Sequence, residues 1–138
     1  MELQTGWQGL AVLGLSGVGL LHVIWGLGSP WPARSPEALA RAVVGNMAGG
    51  LPGAGPCLVV AALLFVAALL VAWAPQGPAI ARLGAGLVGA TLLARGLGGF
   101  LMPVLSPGFR AQPFQTWNAW LYSPLCVVLG LGALQSLR

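Results

Sequence analysis

Residues 57–73 read CLVVAALLFVAALLVAW, an unbroken run of hydrophobic residues. A helix needs about 20 apolar residues to cross the roughly 30 Å hydrocarbon core of a bilayer, so this run indicates a membrane-spanning helix. Only the residues APQG, at 74–77, separate it from a second long apolar stretch. Two spans joined by so short a connection form a tight antiparallel hairpin, and the rest of the fold is arranged around it.

The composition of the whole chain supports this interpretation. Of its 138 residues, 57% are hydrophobic and only 6% are charged, whereas a soluble domain has about 25% charged residues. So few charges cannot build a water-facing surface, and the chain is short enough for one domain. The net charge is +4, but the sequence contains no recognisable nucleic-acid-binding motif. We therefore expect membrane lipids, and no nucleic acid, as partners.

Four segments qualify as membrane-spanning helices, at about 7–27, 56–73, 78–102 and 113–137. Between the first two, SPEALARAVVGNM (35–47) offers Ser35 as an N-cap and Pro36 for the first helical position. This pattern predicts a short amphipathic helix at about 36–47, lying in the membrane interface. The sequence therefore predicts one all-α domain over 1–138, an integral membrane four-helix bundle.

Four spans put both termini at the membrane face of the short hairpin and both long connections at the opposite face, here called the loop face. The loop face carries Arg34, Arg41 and Arg110, and the hairpin face carries Arg82 and Arg138. By the positive-inside rule, this count alone leans towards cytoplasmic loops.

The third span carries a stripe of small residues, Gly86, Ala90, Ala94 and Gly98, each four residues from the next. Small side chains let another helix approach closely. We expect this stripe to pack within the bundle; the alternative is a homo-oligomer whose subunits meet along it.

The fourth span combines polar residues with a proline. Asn118, Tyr122 and Cys126 recur every four residues, which predicts that they share one helical stripe. Pro124 lies among them and removes one backbone hydrogen bond, so a kink is expected there.

Arg95 is the only charged residue in the apolar run at 83–101, LGAGLVGATLLARGLGGFL. A guanidinium at the centre of a membrane helix costs at least about 2.5–3.5 kcal/mol, so it should face protein or water and have a partner. Other polar side chains lie at a similar depth, roughly 7–14 Å below the loop face at ~1.5 Å per residue. We therefore expect a ligand-binding pocket in one leaflet, formed by His22, Trp25, Arg95, Asn118 and Tyr122.

Three functions remain open at this point. Arginine binds carboxylates and phosphates. The two glutamates, Glu2 and Glu37, lie at or outside the interfaces, so neither is an obvious partner for Arg95 within the membrane. The leading hypothesis is therefore a protein that binds or carries an amphiphilic small molecule or lipid. A membrane-embedded isomerase or lipid-modifying enzyme using His22 and Arg95 is the second. A structural or accessory subunit is the third. Alternatively, Arg95 only reaches the headgroups. With one histidine and two glutamates, we expect no metal and no cofactor.

The chain also resembles a family of small bacterial four-helix membrane proteins that is catalogued as a domain of unknown function. The matching stretches are LHVIWGLG (21–28), ARGLGGF (94–100) and PFQTWNAWLYSPLCVVLG (113–130), and YSPLC (122–126) is the most specific of them. The resemblance covers nearly the whole chain. It implies four helices and supplies no activity.

The chain departs from the family pattern at two positions, where the family often carries an acidic residue and this sequence has Gly99 and Asn118. These departures remove two expected partners of Arg95 and leave the site more positive. Family members also tend to carry basic residues at the N-terminus and in the hairpin. The resemblance therefore implies a multi-pass protein of the bacterial inner membrane with cytoplasmic termini, against the arginine count above.

Overall fold

A computed structural model describes residues 2–45, 50–108 and 113–138. Residues 2–4 are described by their backbone alone. The described residues form an all-α protein. Its helices are α1 (Glu2–Gly26), α2 (Pro36–Val43), α3 (Ala54–Trp73), α4 (Ala79–Leu105), α5 (Pro113–Trp117) and α6 (Ser123–Gln135), with a π-helical turn, Asn118–Tyr122, between the last two.

The prediction of four apolar, membrane-length helices is confirmed. Within the described residues, α1, α3, α4 and the continuous segment Pro113–Gln135 are each long and apolar enough to cross a bilayer. The protein is accordingly a multi-pass membrane protein. The hairpin predicted from the APQG connection joins α3 to α4.

The short helix predicted between the first two spans is present as α2. The Ser35 hydroxyl oxygen accepts the backbone N–H of Ala38 at 3.2 Å, which is the expected N-cap bond. Helix α2 ends at Val43, earlier than predicted. Residues 46 and 47 of the predicted range, like Arg110 of the loop face, lie outside the described residues.

The helices form a ring in which α1 packs on α3 and α6, and α4 packs on α6 and α3. The buried core lies towards the hairpin face and consists mostly of small side chains. It contains Ala11, Leu15, Ala68, Val71, Ala74, Ala85, Leu129 and Ala133. Small core residues bring the helices close together at this end, and the larger space in the bundle lies towards the loop face.

Helices α4 and α6 pack through glycines other than those expected. A Cβ on Gly89 would lie 3.1 Å from the Gly130 carbonyl oxygen, and one on Gly96 would lie 2.9 Å from the Ser123 carbonyl oxygen, so these backbones touch. In contrast, Ala90 of the predicted stripe is exposed.

The expectation that the small stripe packs inside the bundle is therefore wrong. Ala94 is also exposed, and a Cβ on Gly98 would meet nothing within 4 Å. A Cβ on Gly86 would make only ordinary contact, at 3.6 Å from the Leu137 side chain. The stripe faces away from the bundle because the close contact with α6 uses the opposite side of α4.

The fourth span is irregular where Pro124 predicts it to be. Proline has no N–H to donate to the carbonyl one turn earlier. The backbone N–H of Ser123 instead bonds the carbonyl of Asn118, five residues back, and the helix takes one wide π turn at Asn118–Tyr122. This turn rotates the residues before it relative to those after it, and it changes which polar side chains share a face.

Candidate ligand-binding cavity

The π turn brings Asn118 onto Ser123 and turns it towards α4. Both side chains are buried, with 1% and 0% of their surfaces exposed, so each needs a hydrogen-bond partner. The Ser123 hydroxyl donates to Oδ1 of Asn118 at 3.0 Å. The Nδ2 group of Asn118 donates to the Gly99 carbonyl at 2.9 Å. Asn118 therefore ties the fourth span to the loop-face end of α4.

Arg95 joins this network through one bond. Its Nη2 donates to Oδ1 of Asn118 at 3.0 Å. This bond confirms a polar protein partner for Arg95, although the arginine itself is exposed rather than enclosed. A guanidinium has five N–H donors, and within the described residues this is the one hydrogen bond that Arg95 makes.

Gly99 makes room for this arrangement. A Cβ at position 99 would lie 2.8 Å from Nη1 of Arg95 and 2.9 Å from Nδ2 of Asn118, and it would collide with the Ser123 hydroxyl. The Gly99 carbonyl also accepts a longer bond from Nε2 of Gln115, at 3.4 Å. Any side chain at this position would displace the groups that hold Arg95.

Arg95 borders a cavity inside the loop-face half of the bundle, here called the inner cavity, with a volume of about 360 Å³. Every membrane-crossing segment contributes to its wall, and α2 contributes Val43. Most of the lining is aliphatic: Leu15, Val18, Leu21, Val43, Leu64, Leu92, Leu121, Leu125 and Leu129. The remaining lining residues are His22, Trp25, Arg95, Phe114, Tyr122 and Cys126. The inner cavity is thus apolar along most of its length, with a few polar groups set into it.

His22 has a defined tautomer. Its Nδ1 lies 2.8 Å from the carbonyl oxygen of Val18, and because a carbonyl only accepts, Nδ1 carries the hydrogen. When the ring is neutral, Nε2 is therefore the nitrogen with a free lone pair. The ring also packs against that of Trp25, with centroids 4.9 Å apart. Trp25 in turn donates its indole N–H to the Trp31 carbonyl at 2.7 Å, which ties the end of α1 to the following loop.

Tyr122 connects the inner cavity to α2. Its hydroxyl donates to the Ala42 carbonyl at 3.1 Å, near the last turn of α2. Its ring packs against that of Phe114, with centroids 5.9 Å apart. Helix α2, predicted to lie in the interface, is therefore held across the loop-face end of the bundle by a side chain that lines the cavity.

A second depression, here called the outer groove, lies on the other side of Arg95. Its volume is about 370 Å³, and it is lined by Ala94, Arg95, Gly98, Gly99, Met102, Phe114, Gln115 and Asn118. It is the more open of the two. Arg95 and Phe114 belong to both linings, so the inner cavity and the outer groove meet at these two residues.

The structure brings four of the five predicted site residues together around the inner cavity: His22, Trp25, Arg95 and Tyr122. Asn118 lies behind Arg95 and lines the outer groove instead. Asn118 does not share a stripe with Tyr122 and Cys126 as predicted. The π turn holds one more residue than an α-helical turn, so it places Asn118 on a different face from the positions that follow.

Sequence reasoning missed several residues of the site. The sequence pattern does not indicate Phe114, Gln115 or Ser123, and it marks Gly99 only as a position where the family often carries an acidic residue. Pro124 was the available signal for Ser123, because a π turn that compensates for the proline pairs residues five apart. Nothing in the sequence indicated that Phe114 lies beside Arg95.

The site combines a cationic group, several of whose donors have no partner in the described part of the chain, with one imidazole and a long apolar wall. No cluster of three or more metal-ligating side chains occurs among the described residues. The chemistry that this arrangement can perform is therefore recognition of an anionic or carbonyl oxygen attached to an apolar body, with one imidazole available for proton transfer.

Comparison with known proteins identifies the family of the chain. The model of a family described as "Protein of unknown function (DUF3995)" matches residues 15–133, a range that contains all five predicted site residues. No curated protein and no solved structure matches the chain.

Proposed function

Since the chain belongs to the DUF3995 family, whose description assigns no activity, its role must be argued from its own site, and we propose that it binds or carries an amphiphilic small molecule or lipid in the inner cavity. The polar head of the ligand lies at Arg95 and its apolar part lies along the aliphatic wall. The observation that carries this proposal is a guanidinium that borders a cavity and, among the described residues, uses one of its five donors.

The balance of charge at the site supports an external partner. The chain has only two acidic residues. Glu37 lies at the N-terminus of α2, where its own backbone N–H, the Ser35 hydroxyl and Arg41 hold the pKa of its carboxyl below the ordinary 4.5. Glu2 lies at the start of α1, at the hairpin face. A charge in a membrane is costly unless it is paired, so an oxygen-rich head at Arg95 would lower the free energy of the site.

The shape of the site supports an amphiphile rather than a polar solute. Cavities that bind small molecules are mostly apolar with a few placed polar groups, and about 300–1,000 Å³ in volume. The inner cavity, at about 360 Å³, lies at the lower end of that range. Its aliphatic residues line the interior of the bundle, and Arg95 forms the boundary with the outer groove.

The test is retention of bound amphiphile by a variant that lacks the charge. We expect the purified protein to carry amphiphile adducts in native mass spectra, and Arg95→Gln to lose them. Glutamine keeps a polar side chain without the charge, and Arg95 is exposed, so the fold should survive; thermal unfolding checks this. Arg82→Gln is the matched control, since Arg82 is exposed on the same helix, about 20 Å away at ~1.5 Å per residue. Equal adducts on both variants would refute the proposal.

A second candidate function, a membrane-embedded isomerase or lipid-modifying enzyme, is favoured by one observation. The bond from Nδ1 of His22 to the Val18 carbonyl fixes the ring so that Nε2 can accept a proton. Comparative lipid analysis tests it: membranes that contain the protein should gain or lose a lipid species, and His22→Ala should abolish that change. Identical profiles with wild type and His22→Ala would exclude catalysis by this residue.

We further propose that the protein resides in a bacterial inner membrane with both termini in the cytoplasm. The family resemblance supports this orientation. Reporter fusions test it: a reporter active only in the cytoplasm should be active after Arg138, and one active only outside should be inactive there. The reverse result would place the loop face and α2 in the cytoplasm.

A further inference from the structure

We infer that the ligand of the inner cavity is a single-chain carboxylic acid of about ten carbons, bound as a monoanion. The inference rests on the proposed function and specifies the ligand class for the same site. It follows from the volume of the inner cavity, the charge of its wall and the hydrogen-bonding groups around Arg95.

The volume limits the size of the ligand. A water molecule takes about 30 Å³ of liquid volume, and a methylene group is similar in size. The inner cavity, at about 360 Å³, therefore holds roughly 12 non-hydrogen atoms. A straight-chain acid with ten carbons and two oxygens fills this space. A phospholipid with two acyl chains is several times larger, so most of it would lie outside the inner cavity.

The charge of the wall limits the ionic state of the head. Arg95 contributes one positive charge, the His22 ring adds none when it is neutral, and no acidic side chain of the described residues lines the inner cavity. A carboxylate carries one negative charge and neutralises it. A phosphate monoester carries about −1.5 to −2 at neutral pH and would leave excess negative charge in an apolar surrounding.

The hydrogen bonds around Arg95 favour a head that only accepts. Nη2 donates to Asn118, whose Oδ1 also accepts from Ser123. Among the described residues Nη1 makes no hydrogen bond, and it lies beside Gly99, where the inner cavity meets the outer groove, so the head of the ligand lies at that boundary and its chain in the inner cavity. A planar carboxylate accepts two parallel N–H bonds from one guanidinium, and such charge-assisted pairs are about twice as strong as neutral hydrogen bonds. An alcohol of the same length cannot form that pair.

The experiment titrates the purified full-length protein in neutral maltoside micelles and counts bound molecules by native mass spectrometry. The probes are octanoate, decanoate, tetradecanoate, decanol and decyl phosphate. We expect the apparent affinity to rise about fourfold for each added methylene up to decanoate and to level off by tetradecanoate. We expect decanoate to bind at least about tenfold more tightly than decanol, as loss of a charged hydrogen bond predicts, and more tightly than decyl phosphate.

Three variants separate the steps of this inference. Arg95→Gln should remove the preference for decanoate over decanol, and Arg82→Gln should keep it. Leu92→Phe narrows the inner cavity, because Leu92 is part of its lining, and should move the optimum to a shorter acid. Partition of the probes into the micelles is the same for every variant, so it cannot produce that shift.

Several results would overturn the inference. These are an affinity that keeps rising to tetradecanoate in both wild type and Leu92→Phe, equal binding of decanoate and decanol, or tighter binding of decyl phosphate. If Arg95→Gln nevertheless loses the adducts that co-purify with the wild type, the proposed function stands and only the ligand class is wrong. If Arg95→Gln keeps those adducts, the proposed function fails as well.

Discussion

Replacing Gly99 with alanine should destabilise this protein, although the same change usually stabilises a helix. Gly99 lies in the last part of α4, directly against the network that holds Arg95. The added methyl group would overlap the Ser123 hydroxyl and would lie 2.9 Å from Nδ2 of Asn118, closer than real Cβ atoms essentially ever come to a neighbour. Ser123 and Asn118 are buried and bonded to each other, so neither can move freely.

The size of the effect follows from two opposed terms. Overpacking a well-packed site costs about 1–3 kcal/mol, and each buried polar group that loses its partner adds about 1–3 kcal/mol. Alanine regains about 1 kcal/mol over glycine in a helix interior. If one bond of the network is lost, these contributions sum to a fall in the free energy of unfolding of about 1–5 kcal/mol.

Gly98→Ala is the matched control, because a Cβ on Gly98 would meet nothing within 4 Å. This neighbouring change should be neutral or stabilise by up to about 1 kcal/mol. The assay is unfolding by sodium dodecyl sulfate from maltoside micelles, followed by circular dichroism, with amphiphile adducts counted in parallel. A Gly99→Ala protein as stable as Gly98→Ala, or one that keeps all adducts of the wild type, would refute the packing described for Arg95.

Three further predictions follow from other contacts. Tyr122→Phe removes the bond to the Ala42 carbonyl. It should speed amide exchange in α2 while changing the free energy of unfolding by only about 0.5–1.5 kcal/mol. Unchanged exchange would mean that the hydroxyl does not hold α2. The pKa of Glu37 in the folded protein is lowered, so the ionised carboxylate stabilises α2 at pH values above the ordinary pKa of 4.5. Amide protection in α2 should therefore fall as the pH drops below 4.5. Glu37→Gln should remove this dependence. If copies of the chain associate through the outward-facing stripe, the double variant Ala90→Leu with Ala94→Leu should lower the detergent-corrected mass to that of a monomer. If the double variant has the same mass as the wild type, association through this stripe is excluded.

Hydropathy alone was sufficient to predict the helices, because a bilayer requires long apolar segments whose backbone bonds are internal. The N-cap at Ser35 and the hairpin at 74–77 were equally local features, and both are confirmed. The side of α4 that packs was not predictable in this way. Both lipid and bundle interior are apolar, and α4 carries small residues on both sides, so Gly89 and Ala90 cannot be assigned to inside and outside from sequence.

The candidate site was predictable to the extent that it depends on depth in the membrane. His22, Arg95 and Tyr122 were expected at one level, and they border one cavity. The face of Asn118 was not predictable, because a kink expected at Pro124 does not specify that the helix takes a π turn at Asn118–Tyr122. One extra residue per turn moves a side chain by about 100° around the axis at 3.6 residues per turn, enough to take Asn118 from the inner cavity to the outer groove.

The identity of residue 118 decides whether Arg95 is available to a ligand. A carboxamide accepts one bond from Arg95 without neutralising its charge, and its Nδ2 holds the Gly99 carbonyl. A carboxylate of the same shape would pair with the guanidinium and satisfy the charge within the protein. Asn118→Asp should therefore keep Arg95 in place while lowering amphiphile retention, whereas Asn118→Leu should lower stability because Ser123 and Arg95 both lose their acceptor. If Asn118→Asp retains as much amphiphile as the wild type, the positive charge of Arg95 is not what binds it.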